Sequence, residues 1–184
     1  MEREILLSIH QIANPVLDAL FTFTDHAFDV APMTVLVLIV GANRFLAKDT
    51  RAGFMWLGAG VWTAILIPTL KGLFNRDRPA LWETLVEPSL QSFPSGHSFA
   101  ASAIFPLLAF QVVQWRPTWR KPAFVIGIAM PLLIGFGRLY LGVHWPTDVL
   151  AGWAIGGFTA WGAARWFSLK PAAPKIDSSK AVEG

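Results

Sequence analysis

The chain has 184 residues, of which 54% are hydrophobic and only 15% are charged, and its mean hydropathy is +0.48. Because soluble domains carry about 25% charged residues, this deficit excludes an ordinary soluble domain and indicates an integral membrane protein. Cysteine is absent and the net charge is only +3, which excludes disulfides and thiolate metal sites and gives no reason to expect a nucleic-acid partner.

Residues 4–24 predict a first helix whose polar residues leave its relation to the membrane open. Its apolar face is interrupted by His10, Asn14 and Asp18. The segment either spans the bilayer or lies in its interface as an amphipathic helix, and we favour the spanning alternative. The N-terminus lacks a basic n-region and a small-residue cleavage site, so a signal peptide is not expected. His10, like the later His26, is interpreted as an interfacial or packing residue.

Five further helices are predicted from apolar stretches that approach the length of a membrane span, about 17–25 residues. They cover roughly residues 30–47, 52–74, 96–115, 121–138 and 147–167. Arginines near the ends of such stretches can snorkel to the interface, and Arg76 is interpreted in this way. The sequence therefore predicts an all-α fold, a polytopic membrane bundle of five to six transmembrane helices. Residues 169–184 are rich in Pro, Ala, Ser and Lys and predict a disordered tail.

Basic residues divide unevenly between the two membrane faces that alternating spans define. Eleven lie on one face, namely Arg3, Arg44, Lys48, Arg51, Arg116, Arg120, Lys121, Arg165, Lys170, Lys175 and Lys180, and four on the other, namely Lys71, Arg76, Arg78 and Arg138. Because Lys and Arg accumulate on the cytoplasmic side, the second face is predicted to be periplasmic or exterior. The expected location is the cell (inner) membrane, with the tail in the cytoplasm.

Three polar segments are predicted to meet at the non-cytoplasmic face. The stretch KGLFNRDRP, residues 71–79, closes the second of the five helices, and PSGH, residues 94–97, begins the third. The stretch GRLYLGVHWPTD, residues 137–148, joins the last two helices. With alternating spans, these ends all lie on one side of the membrane.

The charges of these segments predict a site for a multiply charged anion. Lys71, Arg78 and Arg138 supply guanidinium forks and an ammonium group, which match phosphate oxygens. Backbone amides of Ser95 and Gly96 lie at a helix N-terminus, where anions bind, and glycine allows a close approach. A phosphate site therefore follows from these residues.

Two histidines can supply a nucleophile and a proton donor to this phosphate site. His144 and Asp148 are four residues apart, so Asp148 can bond one ring nitrogen and leave the other free to attack. His97 can protonate the departing oxygen, since its reference pKa of about 6.5 suits proton transfer near neutrality. A His-x-x-x-Asp pair alone is weak evidence; three complementary segments on one face are much more specific.

These three segments resemble the motifs of the type 2 phosphatidic acid phosphatases, which share a core with vanadium haloperoxidases. The first motif is Lys71, six residues, then Arg78-Pro79, and the second is Pro94-Ser95-Gly96-His97. The third is Gly137-Arg138, then His144 and Asp148, with Gly137 where the family has serine. The motifs and their helices cover residues from about 30 to 167.

The resemblance implies a metal-independent phosphatase that passes through a phosphohistidine and needs no cofactor. By position in the motifs, His144 is expected to be the nucleophile, Asp148 its orienting partner and His97 the general acid. The expected phosphate-binding residues are Lys71, Arg78, Ser95, Gly96 and Arg138. Replacement of the serine by Gly137 removes one hydroxyl bond to the phosphate.

The predicted function is an integral membrane lipid phosphatase acting on a lipid phosphate or diphosphate, with undecaprenyl diphosphate as the leading substrate. Phosphatidic acid and phosphatidylglycerol phosphate are the alternatives, because the motifs recognise phosphate and not the lipid. Alternatives of other classes are a non-catalytic lipid-phosphate carrier, a vanadate-holding haloperoxidase and a phosphotransferase. One domain is expected over residues 1–168, with 1–27 as an interfacial or spanning helix and 28–168 as the catalytic core.

Overall fold

Seven α-helices make up the part of the chain that the computed structural model describes, residues 1–87 and 91–168. They are α1 (Glu2–His10), α2 (Pro15–Ala27), α3 (Val30–Leu46), α4 (Thr50–Phe74), α5 (Gly96–Trp115), α6 (Arg120–Tyr140) and α7 (Pro146–Ser168), with a 3-10 turn at Pro117–Trp119. No strand occurs in these two ranges. The all-helical class is confirmed, and α3 to α7 match the five helices predicted downstream of residue 28.

Helix α5 lies at the centre of the bundle, packed between α6 and α7. Its buried side chains lie on every face, as expected for a helix surrounded by others; fully buried examples are Phe99, Ala101, Ala103 and Leu107. Small residues bring α7 close: a Cβ at Gly152 would lie 2.7 Å from the Ser95 carbonyl oxygen. This close packing places the start of α5 directly against the start of α7.

Three helical stretches are long and apolar enough to cross a membrane, namely Thr50–Phe74, Gly96–Trp115 and Pro117–Tyr140. A fourth span is reached if α2 and residues 31–46 of α3, which are bent by 51° relative to each other, form one broken span. The multi-pass helical architecture is confirmed. By this criterion the described residues supply three or four spans, so the predicted five to six is approximate.

The N-terminal segment forms two short helices instead of the single helix predicted over residues 4–24. The break follows α1, and Asn14 caps α2 by accepting hydrogen bonds from the amides of Val16 and Leu17, both at 3.1 Å. With 9 and 13 residues, neither helix reaches the roughly 20 residues of a span. Asn14 thus ends the predicted helix.

Helix α1 lies at the same end of the bundle as the three polar segments. The carboxylate of Glu2 accepts hydrogen bonds from the amide of Thr147, at 3.0 Å, and from its hydroxyl, at 2.7 Å. The sequence-based assignment of Arg3 to the opposite face is therefore wrong, and the distribution of basic residues becomes ten to five. Lys170, Lys175 and Lys180 lie with the predicted disordered tail outside the described residues.

Candidate active site

The three polar segments converge where α4 ends, α5 begins and the α6–α7 connection turns. The amide of Ser95 donates to the carbonyl oxygen of Asp148 at 3.0 Å. Arg78 reaches the same place from the loop after α4, with Nη1 3.1 Å from Nε2 of His144. Helices of alternating direction put these ends together, as the sequence predicted.

A tight turn after α6 presents His144 to the cations. Gly142 has φ +71°, a conformation that glycine adopts at no steric cost, and a Cβ there would collide with the Trp82 ring. Pro146 then occupies the first position of α7, where a missing N–H is harmless. His144 is held in the five-residue connection between the two helices.

The imidazole of His144 is held between a carboxylate and a guanidinium. Its Nδ1 lies 3.4 Å from Oδ2 of Asp148, and both side chains are almost fully buried. Because arginine can only donate, the contact of Nε2 with Arg78 requires an unprotonated Nε2. The proton of the neutral ring therefore sits on Nδ1, and Nε2 carries the lone pair that a nucleophile needs.

Electrostatics keep this imidazole neutral. Burial lowers the pKa of His144 well below its ordinary value; the hydrogen bond with Asp148 opposes this, and nearby Arg138, Arg78 and Lys71 reinforce it. Burial also lowers the pKa of Arg78, to about 10, which leaves it cationic at neutral pH. The ring is therefore chemically available for attack at neutral pH.

The remaining cations surround the same space. Lys71 Nζ donates to the carbonyl oxygen of Gln91, and Arg78 Nη2 donates to that oxygen at 3.3 Å. Arg138 is buried and forms an ion pair with Asp25 at the end of α2. Asp25 is thus the anion that contacts Arg138 in this structure, and the binding of phosphate by Arg138 stays a prediction.

Ser95 and Gly96 form the N-terminus of α5 beside these cations. The Ser95 hydroxyl caps the helix by accepting from the Ser98 amide at 3.4 Å, and it also accepts from the Ser98 hydroxyl at 2.9 Å. Gly96 is the first helical residue, and its amide is one of the group that a helix leaves without an intrahelical partner. Both residues lie at the predicted start of α5, and their contact with phosphate stays a prediction.

His97 faces the end of α2. Its Nε2 lies 3.1 Å from the carbonyl oxygen of Asp25, 3.5 Å from the carboxylate of Asp25 and 3.7 Å from that of Asp29. Because a carbonyl only accepts, Nε2 carries a proton, and Nδ1 is the nitrogen left for exchange with a substrate. The sequence predicted His97 but did not predict either aspartate as its neighbour.

The interpretation of Arg76 as a snorkelling residue is wrong. Its Nη1 donates to Oδ1 of Asp148 and to the hydroxyl of Thr147, both at 2.6 Å, and its Nη2 pairs with Glu2 at 2.7 Å. A buried carboxylate attracts a cation more strongly than the interface does, because its charge is poorly solvated. Ser92 also donates to Asp148. No local spacing in the sequence connects these residues.

Gly137 occupies the position at which the family motif described above has serine. Helix α2 fills the space that a serine side chain would need. A Cβ at this position would lie 2.8 Å from Cδ1 of Phe21, which is closer than carbon atoms approach. Phe21 also packs on Tyr140, with ring centroids 4.7 Å apart. A glycine at position 137 therefore allows α2 to pack closely against α6, and the serine hydroxyl of the family motif is absent.

The other two histidines pack or bond outside this cluster, as predicted. His10 stacks on Trp82 with ring centroids 4.1 Å apart. His26 Nδ1 lies 2.8 Å from the carbonyl oxygen of Thr22. Over residues 1–87 and 91–168, no three His, Cys, Asp or Glu side chains are grouped so as to hold a metal ion.

Comparison with known proteins gives consistent matches. The family described as the PAP2 superfamily matches residues 50–171. Phosphatidylglycerophosphatase B of Bacillus subtilis is 34% identical over 148 residues, which cover 79% of this chain and 72% of the relative. An undecaprenyl-diphosphatase of Sulfolobus acidocaldarius is 35% identical over 157 residues, with 82% and 70% covered. The crystal structure of the transmembrane PAP2-type phosphatidylglycerolphosphate phosphatase from Bacillus subtilis has a TM-score of 0.84 and 30% identity, with 94% of this chain and 87% of that chain covered.

Proposed function

The chain belongs to the PAP2 superfamily, and from this premise we propose that it dephosphorylates a membrane lipid through a phosphorylated His144. It is a membrane-embedded lipid phosphatase that acts without a metal ion, and the relatives that it matches are named as lipid phosphatases. The carrier without catalysis that the sequence left open is therefore set aside. The observation that carries the mechanism is the position of His144, with Nδ1 on Asp148 and Nε2 beside Arg78.

Substrate binding begins with the cations. The phosphate of the lipid takes the place of the Asp25 carboxylate on Arg138 and bonds Lys71 and Arg78, while the amides at the start of α5 approach it from another side. The hydrocarbon chain stays in the bilayer, because the site lies at the ends of membrane-spanning helices. The substrate therefore reaches the site without leaving the membrane.

The chemical step moves the phosphoryl group onto His144. Its Nε2 lone pair forms a bond to the terminal phosphorus. The bond from that phosphorus to the leaving oxygen breaks, which is the bridging oxygen of a lipid diphosphate or the lipid oxygen of a monophosphate. His97, protonated on both ring nitrogens with the carboxylates of Asp25 and Asp29 beside its Nε2, gives its Nδ1 proton to that oxygen. The surrounding cations stabilise the charge of the pentacoordinate transition state. Water then attacks phosphorus and gives a proton to Nδ1 of His97 while the bond between phosphorus and Nε2 of His144 breaks. This releases inorganic phosphate and restores both histidines.

The leading substrate is undecaprenyl diphosphate, with phosphatidylglycerol phosphate as the second candidate. Both are supported by the names of similar proteins, an undecaprenyl-diphosphatase and a phosphatidylglycerophosphatase. Phosphatidic acid remains a third candidate, since the cationic site recognises phosphate. The three lipids differ in what is attached beyond the phosphate.

Phosphate release by the purified protein from these three lipids tests the function. We expect turnover to persist in EDTA and to be inhibited by vanadate, which mimics the pentacoordinate phosphate in a site of cations and histidines. Undecaprenyl diphosphate is expected to give the highest kcat/KM. The His144→Ala variant serves as the inactive control. Loss of turnover in EDTA that magnesium restores would contradict the mechanism.

The site is further proposed to face the periplasm or the cell exterior, which the ten-to-five distribution of basic residues supports. Glu83 is exposed in the loop after α4, and Thr118 is exposed in the turn between α5 and α6. Because the chain has no cysteine, Glu83→Cys and Thr118→Cys each introduce a single thiol. A membrane-impermeant reagent should label Glu83→Cys in intact cells and Thr118→Cys only after permeabilisation. The reverse pattern would refute this orientation.

A further inference from the structure

Arg76 contacts the buried carboxylate of Asp148 from the side opposite to His144. The two oxygens of this carboxylate have different partners: Oδ1 accepts from Arg76 at 2.6 Å, while Oδ2 accepts from the Trp145 amide at 2.8 Å and lies 3.4 Å from Nδ1 of His144. Asp148 is fully buried, whereas the Arg76 side chain is 32% exposed. Arg76 thus connects the reacting pair to the protein surface.

The second carboxylate on Arg76 comes from helix α1. Nη2 of Arg76 lies 2.7 Å from Oε2 of Glu2, and the other oxygen of Glu2 accepts from Thr147 at the start of α7. The guanidinium also lies over the Trp145 ring, 5.5 Å from its centroid. Arg76 is therefore fixed on several sides and divides its charge between two carboxylates.

The charges around His144 indicate what Arg76 does. His144 is faced by Lys71 of α4, Arg78 of the following loop, Arg138 of α6 and Asp148 of α7. Beyond Arg138, Asp25 of α2 pairs with it and contacts His97 of α5. Among the groups facing the ring, Asp148 is the one whose negative charge favours protonation of the ring. A cation on the far oxygen of Asp148 weakens this effect and leaves the other oxygen in place to accept from Nδ1.

We propose that Arg76 is a positioning residue for the reaction proposed above, holding the Asp148 carboxylate on His144 while neutralising its charge so that the imidazole stays unprotonated. Glu2 regulates this effect, because it competes with Asp148 for the charge of Arg76. The proposal depends on His144 as the nucleophile, and it adds to that mechanism a chain of groups from Glu2 to the reacting nitrogen.

The test compares kcat, KM and the pH dependence of kcat/KM for Arg76→Gln and Arg76→Lys. We expect Arg76→Gln to lower kcat by roughly 10- to 100-fold, by analogy with the residues that orient metal-binding side chains through hydrogen bonds. KM and vanadate inhibition should change by less than about twofold, because Arg76 does not bind the phosphate. Arg76→Lys should recover part of kcat. Arg116→Gln, an exposed arginine at the end of α5, is the matched control.

The acid limb of the kcat/KM profile, where activity falls as His144 becomes protonated, is the more specific measurement. Without Arg76 the full charge of Asp148 raises the pKa of His144, so the limb should move to higher pH in Arg76→Gln. In Glu2→Gln, Arg76 pairs with Asp148 alone and neutralises more of its charge. The pKa of His144 then falls, and the limb should move to lower pH. Opposite shifts support the proposal, and shifts in the same direction, or none, overturn it. These two variants should also be compared for thermal unfolding, which a purely structural role would change without moving the limb.

Further outcomes separate this proposal from the function on which it rests. A rise of KM with unchanged kcat in Arg76→Gln would make Arg76 a phosphate ligand and overturn its positioning role. If Arg76→Gln does not fold, the direction of the limb in Glu2→Gln and the rate of Arg76→Lys decide. An unaltered profile with a normal phosphoenzyme in the native protein refutes only the role of Arg76. Absence of a phosphoenzyme in the native protein refutes the proposed function itself.

Discussion

Replacement of His144 by alanine is expected to abolish phosphoenzyme formation completely. In the described structure the lone pair of its Nε2 faces the cations, and Asp148 holds Nδ1 on the other side of the ring. His97 has its Nε2 on the carbonyl oxygen of Asp25 instead. Since the phosphoryl group would have no attacking atom in His144→Ala, both the trapped intermediate and lipid turnover should disappear.

The measurement uses a lipid substrate with labelled phosphate, rapid denaturation and a test of the label's stability. A phosphohistidine should be labile in acid and stable in base. Asp148→Asn is a useful companion, because it should still bind vanadate yet lose most turnover, on the order of 10,000-fold, through the wrong His144 tautomer. Label that persists in His144→Ala would show that another residue is the nucleophile.

Replacement of His97 by alanine is expected to slow turnover by roughly 100- to 10,000-fold, the range of general acid–base catalysis. The loss should depend on the leaving group, because the alkoxide that leaves a lipid monophosphate such as phosphatidic acid needs a proton, whereas an activated aryl oxide does not. An aryl phosphate should therefore lose much less rate in His97→Ala than a lipid phosphate does. The comparison of the two substrates in one variant isolates proton transfer from folding.

His26→Ala is the matched control for this experiment, because His26 is exposed on α2 and bonds the carbonyl oxygen of Thr22 within its own helix. It should leave both rates unchanged. An equal loss for the two leaving groups in His97→Ala would contradict the general-acid role and make His97 a binding residue. If the label vanished in His97→Ala and persisted in His144→Ala, the two roles would be reversed.

Physical limits on a single helix explain which predictions succeeded. A membrane span needs about 20 apolar residues and rises 1.5 Å per residue, so helices α4, α5 and α6 follow from the lengths of their apolar stretches. Alternating direction then places residues 71–79, 94–97 and 137–148 at one end of the bundle. The convergence of His144, Asp148, Arg78 and Ser95 was predictable for this reason.

Short-range chemistry explains where the prediction of the N-terminus failed. The apolar content of residues 4–24 favoured one span, but Asn14 and Pro15 form a helix start, which divides the segment into α1 and α2. The consequences extend to topology, because Arg3 then lies beside Glu2 at the site end of the bundle. The N-cap pattern of Asn14 and Pro15 was present in the sequence, but the prediction gave more weight to the hydrophobic pattern of residues 4–24.

The sequence by itself determined the helical class, the family, and the cations and two histidines that come together at the candidate site. Each of these depends on run length or on a motif within about ten residues. Only the tertiary structure decided the partners of these groups. Arg76 and Asp148 are 72 positions apart, and Glu2 and Thr147 are 145 positions apart. Such pairs form because helix packing buries a charge that must then find an opposite charge, and no pattern local to either residue carries that information.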